Sequence, residues 1–111
     1  MVEWYAQIYS DGITKHTLDL VKDKVEKQKI QFPVFLVTLA SNPNNLLDVI
    51  PVNELLFPYY QRRTTFVLGV ASSRKQAKLM AASIVAKVYE ETGDFQIREW
   101  CQQADTNVEM E

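Results

Sequence analysis

The sequence predicts an α+β domain in which amphipathic helices pack on a β-sheet. Residues 2–9 alternate between apolar and more polar side chains, which is typical of a strand with one buried face. Residues 64–100 contain two strand-like segments around a stretch with apolar residues every three or four positions. The same strand–helix–strand succession occurs in residues 2–40, so two such units account for most of the 111 residues.

The first unit begins with the alternating strand at residues 2–9. One side carries Val2, Trp4, Ala6 and Ile8, and the other carries Glu3, Tyr5, Gln7 and Tyr9. The turn residues 10–12 lead into a helix that should run to about Lys29, with an inner stripe of Leu18, Val21 and Val25. Phe32 and Pro33 end this helix, and residues 34–40 form a strand that is apolar on both faces.

The segment between the two units allows more than one structure. Residues 41–45 are a cluster of turn-forming residues. Leu46–Ile50 fits a short strand or hairpin arm, whereas Asn53 fits the cap of a single helical turn. Pro58 excludes a long helix there, because proline lacks the backbone N–H that a helix interior requires.

The second unit has clearer boundaries. Thr65–Ala71 is the third major strand, and Ser73 with Gln76 has the spacing of a helix capping box. Gly93 is the expected helix stop, because glycine adopts the left-handed conformation found at helix ends. Alternation in Phe95–Trp100 predicts a final strand. The helix should bury the face formed by Ala77, Met80, Ala81, Ile84, Val85 and Val88.

This order of elements predicts a two-layer sandwich of the ferredoxin-like βαββαβ type, with an antiparallel four-stranded sheet and both helices on one face. An open three-layer α/β sheet is the alternative, and it follows if residues 46–63 hold a crossover helix. We expect one domain over residues 1–100 and a polar C-terminal tail over residues 101–111.

Composition restricts the class of partner. The formal net charge is −2, so there is no bulk electrostatic attraction to nucleic acid or to an anionic membrane. No apolar run approaches the ~20 residues of a spanning helix, and the N-terminal residues do not resemble a signal peptide. The single cysteine cannot form an internal disulfide, which favours a reducing compartment and a cytoplasmic location.

The inventory of reactive residues favours a protein that is not an enzyme. Three glycines are too few for a phosphate-binding or dinucleotide-binding loop, so no cofactor is expected. His16 and Cys101 have no metal-ligand spacing and form no evident nucleophile pair, so we assign no metal ligand and no catalytic residue. The remaining possibility is convergence of carboxylates, for which the candidates are Asp11, Asp48, Glu54, Asp94 and Glu99.

Aromatic residues on the second face of the predicted sheet suggest an interface. If both helices lie on one face, the other carries Tyr5, Tyr9, Val67 and Trp100. Such a patch is too apolar to remain exposed on a small monomer. Either a second copy covers it, giving a homodimer, or residues 46–63 do. Nucleic-acid binding is disfavoured, because the third strand lacks the aromatic and basic motif of sheet-platform RNA-binding folds.

A second candidate surface lies at the junction between the third strand and the second helix. Backbone amides, two hydroxyls and two cations there could bind a small anionic ligand such as a phosphate, with Gly69 giving access to the backbone. An ordinary helix cap followed by solvated charges explains the same residues. The proposed anion-binding residues are Ser72, Ser73, Arg74 and Lys75, joined by Arg62 and Arg63.

Two further patterns remain. Leu55–Arg63 combines aromatics, a proline and two arginines, and fits either a recognition surface or a plug over the sheet edge. Leu79, Ala82 and Ala86 form a second, weaker apolar stripe on the outer side of the last helix. Together these observations favour a small self-associating module, with a small-ligand or anion-binding protein as the alternative. An enzyme using acidic residues in 46–60 comes third and a nucleic-acid-binding protein fourth.

Overall fold

The computed structural model describes residues 2–27, 34–40 and 45–101. Four strands and three α-helices are present in this part of the chain, together with a 3-10 helix at Val52–Leu56. The strands are β1 (Val2–Asp11), β2 (Phe35–Leu39), β3 (Leu47–Pro51) and β4 (Thr65–Ala71), and the helices are α1 (Lys15–Glu26), α2 (Pro58–Gln61) and α3 (Arg74–Thr92). A short helical segment, the C-terminal turn, follows at residues 97–101.

The four strands form one mixed sheet in the order β1-β4-β2-β3. β1 and β4 are parallel, whereas β2 pairs in the antiparallel sense with both β4 and β3. β2 and β3 form the hairpin that Leu46–Ile50 allowed as one interpretation, with Leu36 opposite Ile50. The longest strands thus lie side by side, and the hairpin lies beyond them.

Each face of the sheet is covered by a helix. Side chains alternate along the central strands, so apolar residues point to both faces and both faces need cover. Leu36 and Val67 point to the face where α1 packs with Leu18, Val21 and Val25. Their neighbours Val37 and Leu68 point to the opposite face, where α3 packs with Ala77, Met80, Ile84 and Val88. Both faces of β2, which the sequence shows to be apolar, are therefore buried within the molecule.

The protein is an α+β domain, as predicted, but the ferredoxin-like arrangement is not what the sheet shows. That arrangement requires an antiparallel sheet, whereas β1 and β4 are parallel neighbours. It also requires both helices on one face, whereas α1 and α3 pack against opposite clusters of buried residues. Helices on both faces match the layering of the three-layer alternative. The covering helix is α3, however, and residues 46–63 contribute only β3, the 3-10 helix and the one-turn α2.

The predicted strand at Phe95–Trp100 is wrong, since residues 97–101 are helical. Ile97 and Cys101 are both buried and lie four positions apart, so the apolar period here is helical rather than alternating. The Asp94 carboxylate accepts a hydrogen bond from the Phe95 backbone N–H at 2.7 Å, just before this turn. Cys101, assigned to the polar tail, is in fact part of the core; the rest of that tail, residues 102–111, lies outside the described residues.

Local capping explains where the helices begin and end. Thr14, rather than the residues at 10–12, caps α1 by accepting a hydrogen bond from the Thr17 backbone N–H at 3.1 Å. Ser73 caps α3, and Gly93 ends it with φ 72° and a backbone N–H bond to the Tyr89 carbonyl at 2.7 Å. The predicted end of the first helix near Lys29 falls outside the described residues.

Candidate functional site

A cleft of about 310 Å³ opens at the end of the sheet where β1 and β4 begin and β2 ends. The start of β4 forms its floor, and α2 and the C-terminal turn each contribute to the walls. Its volume lies at the lower end of the range for small-molecule sites. The lining residues are Glu3, Thr38, Leu39, Ala40, Asp48, Tyr60, Arg63, Thr64, Thr65, Phe66, Arg98 and Cys101.

Both signs of charge line this cleft. Two arginines, Arg63 and Arg98, supply guanidinium groups, and Glu3 and Asp48 supply carboxylates. Guanidinium groups bind carboxylates and phosphates through paired hydrogen bonds, whereas carboxylates accept bonds from amines and hydroxyls. The lining therefore suits a small ligand that carries an anionic group together with hydrogen-bond donors.

Hydroxyl groups add neutral polar contacts to the charged ones. Thr38 on β2 and Thr65 on β4 are buried residues at the base of the cleft. Strand pairing holds both in place, since Thr38 lies opposite Asp48 on β3 and Thr65 lies opposite Val2 on β1. Polar groups held on strands orient a ligand more precisely than groups on a loop.

Tyr60 remains a hydrogen-bond donor at neutral pH. Burial raises the pKa of Tyr60 above its ordinary value of 10.0, and the nearby carboxylates of Glu54 and Asp48 raise it further. The adjacent Tyr59 acts in the same direction, and the cation of Arg63 acts weakly against it. The phenol therefore keeps its proton, which makes it a donor to a ligand rather than a general base.

Tyr59 positions Arg63. The Arg63 Nη1 donates a hydrogen bond to the Tyr59 hydroxyl at 2.6 Å, and the guanidinium carbon lies 5.0 Å from the centre of the Tyr59 ring. Both residues belong to one segment, in which Pro58 starts α2 and the helix ends before Arg62. This contact restrains the arginine at the cleft wall, so less of its rotamer freedom is lost when a ligand binds.

The predicted anion site divides into two separate places. Arg62 and Arg63 precede β4, whereas Ser72–Lys75 follow it, so the six residue steps of the strand separate them by ~20 Å. Arg63 lines the cleft, while Arg62 is an exposed residue outside its lining. The two arginines therefore do not join the helix N-terminus.

The residues at the α3 N-terminus are engaged within the chain. The Ser73 hydroxyl accepts a bond from the Gln76 backbone N–H at 3.2 Å, and Ser72 and Ser73 both donate to the Gln76 side-chain oxygen. The Arg74 guanidinium lies 4.8 Å from the Phe35 ring centre. The predicted access through Gly69 does not exist, since a Cβ there would overlap the Met80 sulfur and lie 3.3 Å from the Tyr9 Cβ. These observations match the ordinary helix cap.

The predicted interface residues lie within one molecule. Tyr5 is 2 % exposed and Val67 is fully buried. The Tyr5 ring packs 5.8 Å from Trp100 and 6.5 Å from Tyr9, measured between ring centres. The Trp100 indole N–H donates to the Glu91 carboxylate at 2.8 Å, which ties the C-terminal turn to α3. The expectation of an open sheet face is therefore wrong, because α3 and this turn cover Tyr5, Tyr9 and Trp100. Val67 does not share that face, since it packs in the opposite cluster, under α1.

Sequence reasoning missed Arg98, whereas Tyr60 belongs to the Leu55–Arg63 segment that it offered as a recognition surface or a plug. Arg98 was placed on a strand, and the helical spacing of Ile97 and Cys101 is the signal that identifies the turn on which it lies. Of the five carboxylates proposed to converge, Asp48 lines the cleft and Glu54 acts on Tyr60. Asp11, Asp94 and Glu99 are not among the lining residues.

Comparisons with known proteins do not indicate what this site binds. Neither protein-family models, nor curated proteins, nor solved structures match this chain. Within residues 2–27, 34–40 and 45–101, no three histidine, cysteine, aspartate or glutamate side chains converge as a metal site would require. In the same ranges, every helix is too short or too polar to cross a bilayer.

Proposed function

We propose that this protein binds a small polar metabolite in the cleft at the end of the sheet. The ligand carries a carboxylate or phosphate, together with an amine or hydroxyl groups. The observation that carries the proposal is that two arginines, Arg63 and Arg98, and two carboxylates, Glu3 and Asp48, line the same cavity of about 310 Å³. A ligand of one charge sign alone would face like charges on two of these four side chains, which disfavours its binding.

Binding, rather than catalysis, is the activity that these side chains support. Tyr60 holds its proton because burial and two carboxylates raise its pKa. Cys101 lines the cleft but is only 2 % exposed, which favours packing over nucleophilic attack for its thiol. The cytoplasmic location expected from the single cysteine stays a prediction, and a cytoplasmic pool of amino acids and phosphorylated metabolites would supply ligands of this chemistry.

Thermal unfolding in the presence of defined compounds tests the proposal. The probes are the common L-amino acids, simple hydroxy acids, small phosphorylated sugars and inorganic phosphate. A compound at a hundredfold excess over its Kd should stabilise the folded state by about 2.7 kcal/mol. For a chain of this size that corresponds to a rise in Tm of roughly 10 °C or more.

Arginine substitutions locate the binding. Arg63→Gln and Arg98→Gln should each weaken the effective compound at least tenfold, because a charged hydrogen bond to the anionic group is lost, worth about 1.5–3 kcal/mol. Arg62→Gln is the matched control, since Arg62 neighbours Arg63 but does not line the cleft. The proposal fails if no probe raises Tm, or if Arg62→Gln weakens binding as much as Arg98→Gln does.

A further inference from the structure

The outer face of α3 carries an apolar stripe that stays largely exposed in the described part of the chain. Leu79 is 59 % exposed and Tyr89 is 53 % exposed, and the smaller Ala82 and Ala86 between them are also exposed. Lys75 continues the same row. The spacing of four, three, four and three residues is that of a helix-pairing seam, in which one side of a helix meets a second helix.

This seam lies opposite the face that α3 buries in the core. Ala77, Met80, Ile84 and Val88 pack on the sheet, and at 3.6 residues per turn the Leu79–Tyr89 row projects from the far side. The sequence therefore gives α3 two apolar faces, although the fold uses only one of them. An apolar row that stays exposed on the outer side of a helix, while the inner side packs on the sheet, is typical of a contact surface.

The two ends of α3 differ in charge. Arg74, Lys75 and Lys78 occupy its first two turns, and Glu90 and Glu91 occupy its last turn. This is the reverse of the distribution that the helix dipole favours, so the charges do not stabilise the isolated helix. Glu91 is engaged with the Trp100 indole, which leaves Glu90 as the exposed acidic residue beside the seam.

The two ends also differ in shape. A shallow depression of about 440 Å³ lies at the N-terminal end, lined by Arg74, Lys75, Lys78 and Leu79. At the C-terminal end, the exposed rings of Tyr89 and Phe95 stack with their centres 5.0 Å apart. One end thus offers a basic hollow and the other offers an aromatic projection.

We propose that α3 pairs with α3 of a second copy in the antiparallel sense, about a two-fold axis beside residue 84. Residues 79 and 89, and likewise 82 and 86, are symmetric about that position, so Leu79 meets the partner's Tyr89 and Ala82 meets the partner's Ala86. The small alanines allow the helix axes to approach closely. The partner's Tyr89 and Phe95 reach the basic hollow, where aromatic faces attract the cations.

Charge complementarity selects the antiparallel sense and a second copy as the occupant. In this arrangement the basic first turns of each helix lie beside the acidic last turn of the other, and Lys75 comes within reach of the partner's Glu90. A parallel pair would place like charges together at both ends. Since α3 is only ~28 Å long, the interface is small and the dimer is of the weak, concentration-dependent class.

The test is sedimentation velocity of the whole chain from ~1 µM to ~1 mM, the range in which weak complexes dissociate. The wild type should shift from monomer to dimer mass across this range. Leu79→Glu should raise the dissociation constant at least tenfold. Leu20→Glu is the matched control, because Leu20 is an exposed leucine on the outer side of α1, at 38 % exposure, and its change should leave the dissociation constant as it is.

A charge exchange separates specific pairing from general stickiness. Lys75→Glu should weaken the dimer, and Lys75→Glu combined with Glu90→Lys should restore it to within about threefold of the wild type. Circular dichroism at low concentration checks that all four variants are folded. A monomer at every concentration, a dimer that survives Leu79→Glu, or a double variant that stays dissociated each overturns the proposal.

Discussion

Tyr60 shows how the surroundings of a single residue change its chemistry. The pKa of Tyr60 is raised by burial and by the carboxylates of Glu54 and Asp48. The folded protein therefore holds this proton at pH values where the unfolded chain has released it. Since the folded state then binds more protons than the unfolded state, its free energy of unfolding falls as the pH rises.

The raised pKa of Tyr60 predicts how the stability of the Tyr60→Phe variant compares with that of the wild type as the pH changes. Below pH ~10, the unperturbed tyrosine value, both states of the wild type are protonated, so the difference in free energy of unfolding between wild type and Tyr60→Phe is constant. Above that pH the wild type should lose stability faster than the variant, through the raised pKa of the folded state. Urea unfolding from pH 8 to pH 11 measures both curves; parallel curves above pH 10 would contradict the assignment.

Gly93 and Gly69 are glycines for different reasons. Gly93 has a positive φ of 72°, while a Cβ there would meet nothing within 4 Å, so its requirement is conformational. Gly69 has no such backbone requirement, but α3 approaches it closely enough for Met80 to occupy the place of a side chain. Sequence reasoning identified the first correctly, because helix ends have a local signature. The second depends on which helix packs over the strand.

The α3 N-terminus is an element whose function is structural. Ser73 accepts the Gln76 backbone N–H, and the Gln76 side chain accepts from both serines. Such a cap satisfies one of the N–H groups that a helix leaves without an internal partner. The capping-box spacing predicted the bond from the Gln76 backbone N–H to Ser73, while the Gln76 side chain accepts from the two serine hydroxyls instead of from the Ser73 backbone.

Ser73→Ala should lower the free energy of unfolding by about 1 kcal/mol, the usual value of an N-cap. Ser83→Ala is the control on the same helix, because Ser83 is exposed in mid-helix and alanine is the better helix former there, so stability should hold or rise slightly. Urea unfolding at neutral pH measures both. If phosphate stabilised the wild type but not Ser73→Ala, the site would bind anions after all.

Elements whose boundaries depend on nearby residues were predicted well. β4 has its predicted bounds, and α3 has its predicted cap, buried face and glycine stop. The C-terminal turn was predicted wrongly, because six residues such as Phe95–Trp100 satisfy a period of two and a helical period almost equally. Burial of Ile97 and Cys101 together decides between them, and that burial requires the sheet face to be present.

At the scale of the molecule, Tyr5 belongs to a second buried layer rather than to an interface. Tyr5→Ala should cost roughly 3–5 kcal/mol, as removal of a buried aromatic ring does. The loss should be the same at low and high protein concentration, because the ring is covered by Trp100, Phe66 and Tyr9 of its own chain. Urea unfolding at two concentrations measures this, and a loss confined to the higher concentration would restore the sheet-face dimer.

The cleft could not be located from the chain alone. Its arginines lie 35 positions apart, and its carboxylates come from β1 and β3, which are the two outer strands of the sheet. Only the strand order brings these groups to one end of the sheet. Sequence reasoning had placed Arg63 in an anion site with Ser72, whereas β4 holds those two residues at its opposite ends.

The amino-acid sequence by itself determined the α+β class, most strands and helices, and the caps of α3, since these follow from periodicity and from hydrogen bonds between neighbours. Tertiary structure alone decided that β1 lies parallel to β4, that the helices cover opposite faces, and that the tyrosines are enclosed. Such choices depend on contacts between residues far apart in the chain. Both faces of the central strands are apolar, so no local pattern indicates which helix covers which face.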